Sequence, residues 1–306
     1  MSGPLPTISK KQLGLMRRAS LALLERLTFL DDKTYLRLRY RLRMGRALHL
    51  ENPKTFNEKL QWLKLHDRNP LYTVLVDKAA VKPWVAERIG SEHIVPTMGV
   101  WNSFDQIDFD ALPDRFVLKC THDSGGLAIC RDRTTFDKEA AREKIEKSLG
   151  RNYYYHGREW PYKNVIPRIL AEEYLDSPYG AIGLIDYKFY CFNGEPRFLY
   201  VSQGLENHAT ARISFLTLNW EFESFRRSDY SPFEKLPNKP RSFNEMLAFA
   251  KVLSKDIPFV RVDFYDGAKG ALFSEMTFSP CSGMTEFEPA KADVFIGQML
   301  SLPSSS

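Results

Sequence analysis

The 306-residue chain has few of the residues that indicate a disulfide scaffold, a zinc site or a membrane span. Its four cysteines form no CxxC pair, and its six histidines lack the spacing of zinc ligands. No apolar run approaches the roughly 20 residues that cross a bilayer, and the N-terminus lacks the apolar core and cleavage site of a signal peptide. We therefore expect a cytoplasmic protein with reduced thiols and one to three subdomains.

Acidic residues are scarce in the first fifty positions, where eleven Lys or Arg stand against three acids and give a local net charge of +8. The whole chain carries +5, so the remainder carries −3. Apolar residues such as Leu23, Leu24 and Leu27 recur there at helical spacing, which predicts a basic amphipathic helical region. One interpretation is attachment to an anionic inner-membrane surface or to a polyanionic glycan, with no nucleic-acid partner. The other is a helix docked on the body with a solvated basic face, and the two are compatible.

The most informative pattern is a pair of predicted strands, 259–265 and 271–280. If they pair through a turn at 266–270, one face becomes core and the other carries a carboxylate from each strand, an arginine and hydroxyls. The residues on the polar face would be Arg261, Asp263, Tyr265, Glu275, Thr277 and Ser279. Two inward carboxylates repel unless a cation joins them, and Mg²⁺ bridging nucleotide phosphates is a common solution. The alternative is an ordinary solvated strand face.

A second pattern is a short buried strand, 116–120, that delivers Lys119 to a loop of small residues, Thr121–Gly126. Backbone N–H groups of such a loop can approach phosphates closely, and Lys119 would supply positive charge. Because the lysine precedes the glycines, the loop is not a Walker A motif. The alternative is a plain hairpin turn.

Two further predicted strands bring charge. Glu172 and Glu173 are adjacent, so at most one of them faces a site, whereas Asp186 and Lys188 are two apart and share a face. Surface charge is the alternative for each. Capping boxes at Thr55 and Ser242 predict helices, Asn193–Gly194 predicts a hairpin, and Pro83 predicts a kink in a helix over 77–90.

Taken in order, these motifs resemble the ATP-grasp fold, and more narrowly the TupA-like family, named for a teichuronopeptide-biosynthesis protein of bacterial cell envelopes. The resemblance covers roughly residues 50–285, in the segments 53–64, 76–81, 112–120, 171–175, 186–194, 260–265 and 274–280. It implies an α+β fold in which two α+β subdomains grip ATP. The implied organisation is a basic helical extension (1–50), a helical region (51–115), a small subdomain with the phosphate flap (116–175) and a large subdomain with the metal site (176–302).

The resemblance also implies roles for individual residues. The implied ATP-binding residues are Lys78, Lys119, Thr121, Ser124, Gly125, Gly126, Glu172, Glu173, Tyr174, Leu175 and Asp186. The implied catalytic residues are Arg261, Lys119 and Lys188, and the implied Mg²⁺ ligands are Asp263, Glu275 and Thr277. Thr277 stands where many ATP-grasp enzymes have Asn, and Asp123 adds a negative charge near the expected phosphates.

The implied reaction is acyl activation. A carboxylate attacks the γ-phosphate of ATP, giving ADP and an acyl phosphate, and an amine then displaces phosphate to form an amide. The family association suggests a uronic acid or amino acid as the carboxylate substrate, on a polysaccharide or on a nucleotide- or lipid-linked glycan precursor. Candidate holders of that substrate, chosen by position, are Arg212, Arg197, Ser282 and Gly283. The alternatives are a sugar phosphotransferase on the same fold and a non-catalytic nucleotide-binding scaffold of glycan assembly.

Overall fold

The structure, a computed structural model, describes residues 10–176, 184–205 and 209–304. Its α-helices are α1 (Lys10–Arg26), α2 (Asp32–Met44), α3 (Phe56–His66), α4 (Leu71–Val76), α5 (Val81–Ile89), α6 (Lys138–Leu149), α7 (Tyr154–Gly157), α8 (Phe243–Leu253) and α9 (Ala292–Gln298). Its strands are β1 (Thr97–Trp101), β2 (Phe116–Cys120), β3 (Leu127–Cys130), β4 (Ile169–Glu173), β5 (Ile185–Phe192), β6 (Glu195–Gln203), β7 (Arg212–Thr217), β8 (Arg226–Arg227), β9 (Phe259–Gly267), β10 (Gly270–Thr277) and β11 (Phe287–Glu288). Two antiparallel sheets of four and five strands organise the described chain, and β8 pairs with β11 in a third, two-stranded sheet; this architecture confirms the α+β prediction.

The N-terminal helices pack on the body. Asp31 caps α2 by accepting from the Thr34 backbone N–H at 3.0 Å. The inner face of α2 is fully buried in a core shared with α3, α9 and the large sheet, and it contributes Tyr35, Leu36 and Tyr40. The docked interpretation of the first fifty residues therefore holds for α2. In the described part of the chain, no helix is both long enough and apolar enough to cross a membrane.

The smaller sheet has the strand order β1-β4-β2-β3, and α6 packs against β2 and β3. Its apolar face is buried around Phe116, Leu118 and Ile145. The sheet takes β1 from the segment 51–115, which the sequence assigned to the preceding helical region. The opposite face, which carries Lys119, is turned toward the large sheet across a cavity.

The large sheet has the order β10-β9-β5-β6-β7. One face packs on α5 and α8 through residues such as Val260, Val262 and Phe264. The other face is apolar around Tyr190, where α3 covers it, and polar where β5, β9 and β10 lie side by side. That polar part of the sheet positions the candidate site.

A β-bulge in β10 decides which residues reach the polar face. Phe273 pairs with Phe264 and points into the core, so a regular strand would turn Glu275 into the core as well. The register shifts between Phe273 and Glu275, and Glu275 becomes the partner of Asp263. Such bulges commonly redirect side chains beside functional sites.

Several local predictions are confirmed. The capping box of Thr55 and Glu58 opens α3, and the Asn193–Gly194 turn joins β5 to β6. The predicted kink at Pro83 is wrong, because the chain turns at 77–80 and α5 begins only at Val81. Pro83 therefore lies in the first helical turn, where its missing N–H removes no intrahelical bond.

Candidate nucleotide and metal site

A cavity of about 580 Å³ lies between the two sheets. Its lining includes the predicted residues Lys119, Ser124, Glu172, Glu173, Tyr174, Leu175 and Asp186. Apolar side chains form much of the rest of the wall, among them Val95, Val117, Leu127, Ile129, Leu184 and Leu205. The volume is within the range of small-molecule sites, about 300–1,000 Å³. Apolar walls with a few convergent polar groups suit a flat aromatic base carrying a charged tail.

A buried ion-pair triad forms the small-sheet side of this cavity. The carboxylate of Glu172 lies 2.6 Å from Lys119 Nζ and 2.6 Å from Lys82 Nζ. Burial acts to raise the pKa of Glu172, but the two ammonium groups outweigh it, and the pKa falls below its ordinary value. Glu173 is exposed, so one of the two adjacent glutamates faces inward, as the alternation of a strand requires. Lys82 was missed in the sequence because nothing in its neighbourhood distinguishes it from a helical surface lysine.

A second charged cluster lies on the polar face of the large sheet. Lys188 Nζ donates to Asp186 at 3.0 Å and to Asp263 at 2.9 Å. The Arg261 guanidinium donates two hydrogen bonds to the Asp263 carboxylate, of 2.7 and 2.6 Å. The same guanidinium donates to Glu275 at 3.1 Å and to Thr277 at 3.0 Å. Three strands thus bring the predicted metal ligands together with Arg261 and Lys188, whereas the third predicted catalytic residue, Lys119, lies on β2 of the smaller sheet.

The two carboxylates of this cluster differ electrostatically. Asp263 is fully buried, and burial raises its pKa even though Arg261 and Lys188 act to lower it. At Glu275 burial also opposes ionisation, but Lys78, Lys188 and further cations outweigh it and lower the pKa to about 2. The Glu275 side chain is 32% exposed. Glu275 therefore presents a permanent negative charge toward the cleft.

The donor set suits a magnesium ion that arrives with a ligand. Asp263, Glu275 and Thr277 offer only oxygen atoms, which Mg²⁺ prefers, and they lie on adjacent strands. Arg261 already engages all three side chains. Among the described residues, no group of three or more His, Cys, Asp or Glu side chains is arranged to hold an ion. An ion here would need additional oxygens, and nucleotide phosphates or water would have to supply them.

The loop 121–126 is held at both ends. The Lys78 backbone N–H donates to Thr121 O at 3.0 Å, and Lys78 Nζ donates to Asp123 O while lying 4.0 Å from a Glu275 oxygen. The Asp123 carboxylate turns into the loop, where it accepts from the Gly126 N–H at 3.0 Å and from the Ser148 hydroxyl. Its charge is thus used to shape the loop, which removes the expected conflict with phosphates.

The four candidate substrate residues are placed unequally. Ser282 and Gly283 belong to the 3₁₀ turn Pro280–Gly283, directly after the strand of Glu275 and Thr277. Arg212 lies on the edge strand β7, separated from the cluster by β6, and donates to the carbonyls of Thr210 and Ala211. Arg197 is exposed beside the β5–β6 hairpin turn, at the opposite end of that hairpin from Asp186. The structure brings neither arginine to the cluster.

The Ser282 turn is strained and firmly supported. Cys281 and Ser282 both have positive φ, at 51° and 55°, in a region that side-chain-bearing residues rarely occupy. The buried Lys64 ammonium donates to Ser282 O at 2.8 Å, and Gln61 donates to Gly283 O at 2.7 Å. Burial lowers the pKa of Lys64 to about 7, although Glu159 acts in the opposite direction. α3 thus fixes the backbone that follows the predicted metal ligands.

A second cavity, of about 440 Å³, lies beside the loop 121–126. Its lining comprises Glu25, His122, Asp123, Ser124, Gly125, Arg151, Asn152, Tyr153, Tyr155 and His156. Ser124 borders both cavities, and its hydroxyl lies 3.4 Å from the Tyr153 hydroxyl. Glu25 comes from α1 and is held by Arg39 at 2.8 Å and His156 at 3.1 Å. Glu25 therefore makes α1 part of the lining of a space that adjoins the first cavity.

Comparison with known proteins identifies one matching family and several solved structures of low sequence identity. A family model described as TupA-like ATP-grasp matches residues 58–301. D-alanine–D-alanine ligase from Bacillus anthracis is 14% identical, with 92% of this chain and 86% of that chain covered and a TM-score of 0.41. The same ligase complexed with ATP is 14% identical, with 67% and 55% covered and a TM-score of 0.38. The ATP-grasp ligase PsnB, complexed with precursor peptide PsnA2 and AMPPNP, is 13% identical, with 90% and 66% covered and a TM-score of 0.37.

The chain thus spans 55% and 66% of the lengths of the latter two structures, and similarity at these scores carries no argument about function. No curated protein matches the chain.

Proposed function

Because the chain belongs to the TupA-like ATP-grasp family, we propose that it is an ATP-dependent carboxylate–amine ligase that forms an amide through an acyl phosphate. The observation that carries this proposal is that Lys119 and Asp186 line one cavity between two sheets, and that Lys188 links Asp186 to the cluster of Asp263, Arg261 and Glu275. A cation-rich cleft with inward carboxylates is what charge neutralisation during phosphoryl transfer requires.

In the proposed complex, ATP lies in the cavity of about 580 Å³. The adenine ring contacts the apolar walls and the backbone of 172–175, and Asp186 accepts from the ribose hydroxyls. Lys119 and Lys78 contact phosphate oxygens beneath the loop 121–126. Asp186 is suited to its role because Ser202 and Lys188 orient its carboxylate, at 3.2 and 3.0 Å.

Asp263, Glu275 and Thr277 would hold Mg²⁺ that enters with the nucleotide. When bound, the ion supplies positive charge to the phosphate oxygens. The remaining charge stabilisation comes from this chain's own residues. Arg261 already contacts both carboxylates, so its guanidinium would lie beside an ion that they hold.

The proposed reaction balances in two steps. A substrate carboxylate oxygen attacks the γ-phosphorus, the bond to the β,γ-bridging oxygen breaks, and ADP leaves. An amine nitrogen then attacks the acyl carbon, the bond from that carbon to the phosphate oxygen breaks, and phosphate leaves with its electron pair while the nitrogen loses a proton. Lysine and arginine neutralise the charge on the transferred group, which is the main requirement of such a step.

We place the carboxylate substrate in the second cavity, of about 440 Å³, because this cavity adjoins the nucleotide cavity at Ser124. Tyrosine rings and hydrogen-bonding groups from Asn152, Arg151 and His156 suit a sugar that carries a carboxylate. The proposed substrates are a uronic acid or amino acid and an amine, on a polysaccharide or a nucleotide- or lipid-linked glycan precursor. The proposed compartment is the cytoplasm, where ATP is available and thiols are reduced.

The test is incubation of the purified protein with ATP, Mg²⁺ and a panel of uronic acids, amino acids and amines, with products read by mass spectrometry. The expected result is an amide product, with ADP and phosphate release that depend on both the acid and the amine. Phosphate retained on a sugar would instead identify a phosphotransferase. Tight ATP binding without turnover of any pair would favour a non-catalytic scaffold.

A further inference from the structure

The outer surface of the N-terminal helices carries an unusual concentration of exposed apolar side chains. Phe29, in the turn between α1 and α2, is 81% exposed, and Leu23 and Met16 on α1 are 62% and 55% exposed. Met16 and Leu23 are seven residues apart and lie on one side of the helix. Leu38 on α2 adds a fourth such side chain, at 45%. Single exposed apolar residues are ordinary, whereas clusters mark contact surfaces.

These exposed apolar side chains are not part of the faces by which α1 and α2 pack on the body. α1 and α2 already have a buried side, which contributes Leu24, Tyr35 and Tyr40 to the core. The same helices also supply Arg39 and Glu25, which hold each other beside the second cavity. The exposed apolar residues therefore belong to a separate outward surface of the segment.

The same two helices carry exposed basic residues. Arg17, Arg18, Arg26 and Arg41 are exposed, and within the described ranges none of them has a carboxylate partner. Lys33 and Arg37 share a single exposed acid, Glu51. Most of the basic side chains that the structure describes between residues 16 and 50 are thus exposed. A partner that complements the surface must be anionic and must also offer an apolar phase.

We infer that this surface, Met16, Leu23, Phe29 and Leu38 with the exposed arginines of α1 and α2, binds peripherally to an anionic lipid bilayer. A polyanionic glycan would complement the arginines but would leave Phe29 and Leu23 in water, so the observations favour lipid. Phe29 and Leu23 enter the boundary between headgroups and acyl chains, and the arginines contact anionic headgroups. This goes beyond the ligase reaction and does not depend on it, since binding is measured without ATP or substrate.

The test is co-sedimentation of the full chain with phosphatidylcholine vesicles, with and without phosphatidylglycerol, at low and high salt. We expect binding only to the anionic vesicles and weaker binding at high salt. Leu23→Ser and Phe29→Ser should each weaken binding by about tenfold or more, because each removes an apolar side chain from the boundary. Arg18→Glu with Arg26→Glu should weaken it by at least about fivefold per charge.

Matched controls come from elsewhere on the surface. Ile166 is 71% exposed, so Ile166→Ser removes an equally exposed apolar group, and Lys144→Glu with Lys147→Glu reverses two exposed charges on α6. Both control variants should bind like the wild type, and thermal melting should show that every variant is folded. A parallel arm uses polygalacturonate as the polyanion. Absence of vesicle binding would overturn the inference, as would binding that Leu23→Ser and Phe29→Ser leave unchanged or that polygalacturonate reproduces with the same affinity.

Discussion

Arg261 donates hydrogen bonds to the same side-chain oxygens that would coordinate a magnesium ion. Its guanidinium engages Asp263, Glu275 and Thr277 at once, so the buried negative charge of the cluster is compensated without an ion. An arriving ion would compete with the guanidinium for these oxygens. If Asp263, Glu275 and Thr277 held an ion, the Arg261 guanidinium would be available to neutralise charge on a phosphate, as the proposed mechanism requires.

This competition predicts different phenotypes for the two carboxylates. Asp263→Asn and Glu275→Gln should each reduce turnover by at least about 100-fold, because either change removes charge that positions the ion and Arg261. Asp263→Asn should also lower stability, by about 3 kcal/mol, since it leaves Lys188 and Arg261 buried with less compensation. Glu275 is partly exposed, so Glu275→Gln should melt close to the wild type. Phosphate release and thermal melting measure these effects, and near-normal turnover in either variant would remove the metal assignment.

Because the pKa of Glu275 is lowered in the folded protein, the free energy of unfolding should depend on pH in a direction that can be stated. Its pKa falls from 4.5 to about 2 on folding. A carboxyl group whose pKa is depressed contributes stability that is complete above its unfolded value and is lost as the pH falls toward the folded value. Wild type should therefore lose stability between these two pH values more steeply than Glu275→Gln. Urea denaturation across this acidic window measures the difference, and identical slopes would contradict it.

Lys119 tests the nucleotide assignment. Lys119→Ala should weaken ATP binding by about 10- to 100-fold, because a hydrogen bond to a charged group contributes roughly 1.5–3 kcal/mol. Lys119→Arg should weaken it much less, since a cation remains near the phosphates. Glu172 keeps Lys82 as a partner in both variants, at 2.6 Å, so the protein should stay folded. Isothermal titration with ATP and Mg²⁺ gives the affinities, and equal values for wild type and Lys119→Ala would exclude Lys119 from the site.

At the scale of elements, the loop 121–126 is shaped by one side chain. Asp123 accepts from the Gly126 N–H and from Ser148 on α6, which ties the loop to the small subdomain. A Cβ at Gly126 would run into Cys120 and Ser148, so the loop also depends on close backbone approach. Contacts within the small subdomain thus set the conformation of the loop, and Ser124 of this loop lines the cavity between the two sheets.

Asp123→Ala should consequently lower stability by about 1–3 kcal/mol and weaken ATP binding, because it leaves a buried hydroxyl and N–H without an acceptor. Asp123→Asn keeps an oxygen at the same place and should retain most of both properties. If the loop instead needed a negative charge facing the phosphates, the two variants would be equally impaired. Melting temperature and ATP titration of the pair distinguish these outcomes.

The sequence predicted which residues of β9 lie on the polar face of the sheet. It did not predict the β-bulge in β10 that brings Glu275 to the same face. Alternation alone puts Glu275 on the same side as Phe273, and only the bulge separates the two. A bulge has no reliable local signature, because it depends on the partner strand. For the same reason the position of Arg212 on the edge strand β7 could not be read from the sequence, because strand order depends on pairing between distant segments. Lys64 and Lys82 were missed because their burial is decided by tertiary packing.

The fold class was predictable because the motifs that carry the family resemblance are local and follow one another along the chain in the expected order. The capping box at Thr55, the hairpin turn and the alternating strand each act over a few residues, and they are confirmed at α3, the β5–β6 hairpin and β9. The helix predicted after Ser242 forms as α8, but the Ser242 side chain donates to Asp266 and makes no capping box. The second cavity was not predictable, because it is built from α1, the loop 121–126 and the segment 151–156. Those parts are distant in sequence and have no shared pattern.

At the scale of the whole molecule, residues 10–50 join three parts of the protein. α2 lies in the main core, Glu25 lines the second cavity and is paired with Arg39, and Asp32 pairs with Arg68 at 3.0 Å. Arg158 further ties the segment down by donating to the carbonyls of Leu27 and Thr28. The segment is therefore part of the body, and its basic surface is carried on a structural element.

Two truncations separate these contributions. A chain that begins at Glu51 loses Tyr35, Leu36 and Tyr40, which are fully buried. Burial of each such side chain contributes about 1.5–3 kcal/mol, so the loss is comparable to the roughly 5–15 kcal/mol by which domains are stable. We expect this chain to be insoluble or to melt without cooperativity.

A chain that begins at Asp31 keeps the cap of α2 and its buried face, and it should fold and bind ATP like the full chain. Because it lacks Leu23, Glu25 and Phe29, it should lose anionic-vesicle binding and use its carboxylate substrate less well. Calorimetry, ATP titration and vesicle co-sedimentation of both chains measure this, and a cooperative, near-native melt of the chain beginning at Glu51 would show that the N-terminal helices are an appendage.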